Sequence, residues 1–553
     1  MLSTLRRLHL HNAKLLSTAP QSLRASYTVS AVTPSYLAPS HKDTIFALSS
    51  APGKAGVAII RISGPRSSQV ITKMARAKEG GTHLPNPRYA VFRRILHPIS
   101  GDLLDRGLIL WFPGPTSFTG EDVVELHVHG GNAVVRGVLD ALGSIDSTFR
   151  LAERGEFSRR AFDNDKLDLT SIEGLADLLN AETEAQRKQA LRQAEGGLKH
   201  LYESWRTQLI KNMALLEAII DFGEDEGIED GIIEKVITSI RSLSISIRTH
   251  MDDNRRGEIL REGIHVTILG PPNAGKSSFL NRLGVSIIFC LFYESFAMNE
   301  ALYLHASFFL SFFLSASAQR QAAIVSPIPG TTRDIIEVAL NVAGYPVVVG
   351  DTAGLRSSED MVEMEGIRRA KDRIDSADLK ICILSLPELL STNTHSLDSA
   401  IRDFLDPDTL LIFNKSDLVP TNSSKNDKDT DLIQRALVVT DQLHVPRQAW
   451  ALSCETGVGF DQFLGDFVGI LRNRFDTSTT AVSSGSLITQ ARHRAHLKDC
   501  VTALDAFLAN PQADVVLAAE ELRQAAGALG RITGRVDVEE VLEVVFREFC
   551  IGK

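Results

Sequence analysis

From Asp43 onward the chain changes hydrophobic rhythm three times, and each change marks a domain. Thr44-Ile-Phe-Ala-Leu48 and Gly56 to Ile62 are short apolar runs separated by an Ala-Pro-Gly-Lys turn; Leu108 to Phe112 and Val123 to His129 alternate like further strands. Ala133 to Leu142 predicts a helix packed on them, giving an α+β module over residues 43–166. From Ser171 to about Arg256 the apolar residues fall at helical spacing among Glu, Lys and Gln, which predicts several long amphipathic helices. Residues 487–549 read the same way, through Ile488, Leu497, Val501, Leu504 and Leu508, then Val515 to Ala526 and Val538 to Phe549. The acidic cluster Asp221 to Glu226 reads as a solvated turn.

Between the helical blocks, residues 259–476 alternate helical stretches with short apolar runs: His265 to Leu269, Tyr345 to Val349, Lys380 to Leu384, Thr409 to Phe413 and Ala449 to Leu452. That is the pattern of a mostly parallel sheet covered on both faces. The predicted fold class is therefore α/β and α+β multidomain. An α/β domain (259–476) is inserted into an all-helical domain (167–258 and 477–553) and preceded by the α+β N-terminal domain (43–166). A length of 553 residues, with 44% hydrophobic and 23% charged positions, suits a globular protein of two to four domains.

Composition adds three points. Residues 1–42 contain no Asp or Glu but carry Arg6, Arg7, Lys14, Arg24 and Lys42 among many Ser, Thr and Leu, the make-up of a mitochondrial transit peptide. A net charge of −9 argues against a general polyanion-binding surface, though not against a local basic patch. Cys290, Cys382, Cys454, Cys500 and Cys550 form no CxxC pair, so neither a disulfide framework nor a structural zinc is expected.

The chemistry lies in the central segment. Gly270-Pro-Pro-Asn-Ala-Gly-Lys-Ser277 follows one predicted strand and opens a helix, as a phosphate-binding loop does. Its glycines let backbone N–H groups wrap phosphates, and the helix N-terminus adds a favourable dipole. The residues expected to line the nucleotide here are Asn273, Ala274, Gly275, Lys276, Ser277 and Ser278, with Lys276 on the β- and γ-phosphates and Ser277 on Mg²⁺. Gly330, Thr331 and Thr332 offer hydroxyls and a backbone that sense the γ-phosphate. Asp351, Thr352, Ala353 and Gly354 end a strand; the aspartate can hold Mg²⁺ through water and the Gly354 N–H can reach the γ-phosphate. Asn414-Lys415-Ser-Asp417 ends another strand, and the Asp417 carboxylate can accept from N1–H and the 2-amino group of guanine, a donor pair that adenine lacks. Ser453 and Cys454 follow the last strand, where their N–H groups could meet the base oxygen. Four motifs in this order predict a GTP-binding, GTP-hydrolysing enzyme.

Leu355 stands where many signalling GTPases place a water-orienting glutamine. Water must then be oriented by a carboxylate, with Glu359, Asp360, Glu363 and Glu365 as candidates. No arginine finger can be assigned, and a monovalent cation beside the β/γ bridge, with Asn273 as a ligand, could replace one.

Together these motifs resemble the tRNA modification GTPases of the MnmE/TrmE type, in a mitochondrial form. The resemblance runs from Asp43 to Lys553. It includes Asp43-Thr-Ile, Pro52 to Gly64, Pro113 to Asp122, His129-Gly-Gly131, Arg154 to Ser158, Asn164 to Asp168 and the terminal Phe549-Cys-Ile-Gly-Lys553. The resemblance implies an N-terminal domain that forms a homodimer and binds 5-formyltetrahydrofolate or a related folate, with Arg61, Glu125, Lys166 and terminal Lys553 as contacts. It implies K⁺ in place of an arginine finger, held by Asn273, Ser326, the carbonyl of Ile328 and Thr331. Pro327 and Pro329 lie in the same closing loop. It places Mg²⁺ on Ser277 and Thr332, the water-orienting carboxylate at Glu363, and a C-terminal cysteine, Cys550, near the modification centre. It also implies a FAD-dependent MnmG-type partner and tRNA as substrate, with folate supplying one carbon for a carboxymethylaminomethyl-type group at C5 of the wobble uridine. The location it implies is the mitochondrial matrix, with no stable membrane insertion.

Residues 284–318 depart from this pattern. Lys276 and Asp351 stand 75 positions apart, and removing these 35 residues would leave the 40 of a compact domain. A membrane segment is one reading, but Glu294, Asn299, Glu300 and His305 break it below the ~20 apolar residues a span needs. A surface loop is another, against which its many phenylalanines weigh. A retained intron translated in frame is the reading favoured. For the whole chain, the alternatives are a GTP-dependent assembly factor without tRNA-modifying chemistry and a membrane-remodelling GTPase.

Overall fold

The computed structural model describes residues 43–75, 83–226, 229–253, 255–284, 286, 337–351, 374–391, 402, 404–419, 433, 436, 448–475, 487–510, 515–536, 549 and 552. They fall into two compact units, one built mainly from residues 51–113 and 121–151 with the first strand, the other from residues 48–50, 114–120 and everything after 152.

The first unit is a six-stranded sheet in the order β3-β4-β5-β2-β1-β6. Its strands are β1 (Thr44–Leu48), β2 (Ala55–Ser63), β3 (Val91–Leu96), β4 (Leu103–Phe112), β5 (Val123–Gly130) and β6 (Phe149–Leu151). Helices α1 (Ser68–Met74) and α2 (Asn132–Gly143) accompany it. Strand alternation assigns the faces: Ala58, Ile60 and Ile62 of β2 and Val124, Leu126 and Val128 of β5 are buried, so Arg61, Glu125 and His127 share the opposite face. The sequence pattern yields β1, β2, β5, α2 and the second half of β4. It misses β3 and α1, whose exposed Phe92 and short length give no clean period.

The second unit begins with α3 (Glu156–Asp163), α4 (Leu169–Asn180), α5 (Glu184–Ala194), α6 (Gly197–Glu226), α7 (Glu229–Met251) and α8 (Arg256–Glu262). The acidic cluster expected to be a turn is instead the last stretch of α6, because the helix runs on to Glu226. A second sheet follows, in the order β12-β11-β10-β7-β9-β8. It is formed by β7 (Ile264–Leu269), β8 (Glu337–Val342), β9 (Tyr345–Asp351), β10 (Leu379–Ser385), β11 (Leu410–Asn414) and β12 (Ala449–Ala451). All pairings are parallel except β8 with β9. Central strands are buried on both faces: Ile381, Ile383, Leu410 and Ile412 enter one core, and Cys382, Leu384, Leu411 and Phe413 enter the other. Helix α9 (Leu386–Ser391) follows β10, and α10 (Phe460–Phe475) covers the first core with Phe460, Phe463 and Phe467.

The chain then returns through α11 (Ala491–Ala509) and α12 (Val515–Thr533), which pack with α6 and α7 in one all-helical core. The α/β domain is thus an insertion, and its two connections run side by side: a Cβ on Gly257 would lie 2.2 Å from the carbonyl oxygen of Ile488. Arg494 ties this neck, with Nη1 donating to Met251 O at 2.6 Å, Nη2 to Asp253 Oδ1 at 2.6 Å and Nε to Glu258 Oε1 at 2.8 Å. Among the described residues, no helix is long and apolar enough to cross a membrane.

Candidate nucleotide-binding site

The motifs meet because the sheet is parallel and changes direction at β7. The chain leaves β7 toward β8 and β9 on one side and later reaches β10 on the other, and ligands bind such folds at the carboxyl ends of strands beside that switch. Gly270 follows the end of β7; Asp351 ends β9, with Ile268 as its Cα partner; Asn414 ends β11, opposite Ser385 of β10; Ser453 follows β12. Four sequence-predicted segments, up to 183 positions apart, converge on one edge.

Residues 271–275 turn and residues 276–284 are helical, so Lys276 and Ser277 stand in the first turn of a helix. Asn273 adopts a left-handed backbone (φ 63°) that bends the loop. Lys276 Nζ donates to the carbonyl oxygens of Gly270 and Pro271, both at 3.0 Å, which holds its ammonium over the mouth of its own loop. Gly275 has to be glycine: φ is +98°, and a Cβ there would lie 2.2 Å from Asn414 Nδ2.

Asn414 is the brace of the site. Only 2% exposed, it donates from Nδ2 to Ala274 O at 2.8 Å and accepts at Oδ1 from the Cys454 N–H at 3.1 Å. One amide thereby fastens the phosphate loop to the loop after β12. Lys415 takes a left-handed backbone (φ 64°), and its Nζ lies 3.5 Å from Glu388 Oε1 of α9. That backbone turns the chain into the short 3₁₀ helix Ser416–Leu418, on which Asp417 is exposed.

The loop after β12 differs from expectation in one respect. The Ser453 N–H donates to Val458 O at 3.0 Å and the Cys454 N–H goes to Asn414, so neither points at a base in this arrangement. Ser453 Oγ accepts from Thr456 N at 3.1 Å and shapes its own loop. Sequence reasoning missed two supports here. Glu388 is one. The other is Arg282, whose guanidinium lies so close to Gly457 that a Cβ there would meet Nη2 at 2.0 Å. Neither belongs to a motif, and only tertiary proximity reveals them. Burial raises the Cys454 thiol to about 11 and Cys382 to about 12, leaving both protonated at neutral pH.

Ser326, Pro327, Ile328, Pro329, Gly330, Thr331, Thr332, Thr352, Ala353, Gly354, Glu363, Cys550 and Lys553 lie outside the described residues, as does the 287–318 part of the unexplained stretch. Of the expected folate contacts, Arg61 and Glu125 are direct cross-strand partners, with Nε and Oε1 3.0 Å apart and His127 Nε2 3.6 Å from Oε2. Lys166 belongs to the other compact unit, where its N–H donates to Ala161 O at 2.8 Å beside Gly120. At the C-terminal end, Gly552 O accepts from Ser49 Oγ at 2.8 Å.

Comparisons with known proteins agree with this layout. A sequence model described as the GTP-binding protein TrmE N-terminus matches residues 44–166, and one described as the MnmE helical domain matches residues 169–550. The mitochondrial 5-taurinomethyluridine-tRNA synthase subunit GTPB3 of Danio rerio is 45% identical over 520 residues, covering 92% of this chain and 93% of that protein. The tRNA modification GTPase MnmE of Paramagnetospirillum magneticum is 45% identical over 514 residues, covering 92% of this chain and all of that protein (100%). The human mitochondrial GTPB3 subunit is 42% identical over 525 residues, covering 93% and 94%.

Proposed function

The chain belongs to the MnmE/TrmE family of tRNA modification GTPases, and on that premise we propose how it works. It is a GTPase that acts in tRNA modification at the wobble uridine, and its place is the mitochondrion. The observation that carries the nucleotide-binding part of this reading is the Asn414 brace, which joins the phosphate loop to the loop after β12 at the carboxyl edge of a parallel sheet.

GTP binds with its phosphates along residues 270–277, where Lys276 exchanges its two carbonyl partners for phosphate oxygens. The ammonium neutralises charge that develops on the β/γ bridge oxygen as its bond to the γ-phosphorus breaks. Asp417 selects guanine, and Lys415 is held beside the base by Glu388. The hard oxygen donors at this edge suit Mg²⁺, which Ser277 and Thr332 would hold and which neutralises charge on the phosphates. The bent backbone at Asn273 suits a side-chain oxygen turned toward the bridge, and Asn273, Ser326, the Ile328 carbonyl and Thr331 would hold K⁺. Glu363 orients the attacking water.

In this proposal residues 1–42 are a transit peptide and the site of action is the matrix. The N-terminal domain, residues 43–166, pairs two copies and binds a formyl-tetrahydrofolate. The Arg61–Glu125 pair offers a guanidinium and a carboxylate on one sheet face, groups that suit a glutamate tail and pterin N–H donors. An MnmG-type FAD protein completes the modifying complex, and Cys550 would serve near the modification centre. The product carries an aminomethyl link at C5. The family resemblance points to a carboxymethylaminomethyl-type group, whereas the names of the vertebrate relatives favour taurine as the amine.

The test is reconstitution of the native chain with an MnmG-type FAD protein, tRNA, GTP and the folate, with the wobble nucleoside read by mass. A C5-aminomethyl product that requires both GTP and K⁺ is expected. Product formed without GTP, or equal GTP hydrolysis in Na⁺ and K⁺, contradicts the corresponding part.

A further inference from the structure

The helical domain contains a charged cluster that nucleotide chemistry does not use. Glu173 lies in the middle of α4 and is only 4% exposed. Its Oε1 accepts from Arg492 Nη2 at 2.8 Å, and its Oε2 lies 2.7 Å from Nε2 of the fully buried His493. Arg492 and His493 open α11, the helix on which the chain re-enters the helical domain after leaving the GTPase domain. Arg492 also donates from Nη1 to Arg531 O at 2.9 Å and from Nη2 to Ile532 O at 3.2 Å, satisfying terminal carbonyls of α12.

The α4–α5 hairpin touches both the Phe549 segment and the GTPase domain. Leu169, Ile172 and Ala176 bury Phe549, the residue before Cys550. Gly174 presses α4 against α5 so closely that a Cβ would lie 2.5 Å from Ala194 N. At its far end α5 docks on the GTPase domain, where the Ala185 N–H donates to Gly344 O at 3.1 Å in the turn between β8 and β9. Strand β9 then runs from that turn to Asp351.

We propose that Glu173 is a positioning residue that holds the GTPase domain's return helix and the α4–α5 hairpin in one register, so that a movement begun at Asp351 reaches the segment around Cys550. This rests on the functional reading above. A buried ion pair stabilises a fold weakly compared with apolar side chains of the same volume, and removing one partner alone is costly. Stability therefore does not explain a carboxylate here, whereas its directed bonds to two successive residues fix the angle of α11 on α4. Coupling between sites is carried by chains of packed elements, and Gly174 packs α4 closely against α5.

The test uses the full chain in two variants: Glu173→Gln, and the triple Glu173→Leu, Arg492→Met, His493→Leu, which replaces the whole cluster with apolar volume. Each is expressed in cells lacking the native chain, and the modified wobble uridine is measured by mass. GTP turnover and thermal melting are measured on the purified protein. With melts intact, GTP turnover is expected within about threefold of native while modified nucleoside falls about tenfold or more, within the usual range of coupling between sites. Native levels of modification in a stably folded triple variant overturn the inference, as does a loss of modification that only parallels the loss of turnover. A native chain that restores no modification in the same cells sinks the functional reading, and this inference with it.

Discussion

Asn414 Nδ2 lies 2.8 Å from the carbonyl oxygen of Ala274, across 140 positions of sequence, and the other end of the same amide receives the Cys454 N–H. The backbone of the phosphate loop is therefore held by a residue at the end of another strand. Asn414→Ala removes one buried and one part-buried hydrogen bond, each contributing about 1 kcal/mol net, and takes away the partners they give the Ala274 carbonyl and the Cys454 N–H. Titration with a fluorescent guanine nucleotide should show binding weakened by roughly 10- to 100-fold. A change below about twofold would mean the brace does not shape the site.

Asp417 stands exposed on its 3₁₀ turn, which follows β11 at the same sheet edge as the phosphate loop. Asp417→Asn replaces one acceptor oxygen with an NH₂ donor, which opposes the 2-amino group of guanine and matches the 2-oxo group of xanthine. Competition binding should show GTP weakened by about 100-fold or more and xanthosine triphosphate preferred. Unchanged preference for GTP would remove Asp417 from base recognition.

Much of this was legible in sequence because the phosphate loop, the Asp351 motif and the Asn414–Asp417 segment carry their chemistry in consecutive residues. The parallel strands were legible too, since Ile381 to Leu384 and Leu410 to Phe413 are apolar on both faces. The edge strand β8 was not, because its Glu337, Asn341 and half-exposed neighbours break the apolar run. Arg282, Glu388 and Glu173 were equally hidden: each is one charge on a helix, and its meaning comes only from what another segment brings beside it. Ser453 and Cys454 follow β12 as the apolar run predicts, but the acceptors of their N–H groups, Val458 O and Asn414 Oδ1, are tertiary facts that differ from the expected base contact.

The helical core carries a pH dependence. Burial lowers the His250 imidazole from its ordinary 6.5 to about 4, with Tyr202 Oη 3.3 Å from its Nε2. The folded state thus keeps His250 neutral where the unfolded chain takes up a proton. This contribution is fully present above pH 6.5 and is lost as pH falls toward 4, on the order of 3 kcal/mol in total. Between pH 7 and 5.5 the native chain should lose roughly 1 kcal/mol more than His250→Gln. Urea melts followed by tryptophan fluorescence report it, since the Trp205 and His250 rings are 5.5 Å apart. Identical pH profiles for the two proteins would contradict the shift.

Residues 284–318 interrupt the passage from the phosphate-loop helix to β8. If they are a retained intron, the mature message lacks those 35 codons, and the shortened chain hydrolyses GTP at least as fast as the long one. Sequencing the transcript checks the first point and steady-state kinetics the second. A mature message that contains the stretch would make it part of the protein.

The most direct measurement is mass analysis of mitochondrial tRNA wobble nucleosides in cells lacking this chain, with either the native form or Lys276→Ala returned. The account predicts that the C5-modified uridine disappears without the chain, returns with the native form and does not return with Lys276→Ala. Modified uridine that persists in the absence of the chain, or that Lys276→Ala restores in full, would contradict it.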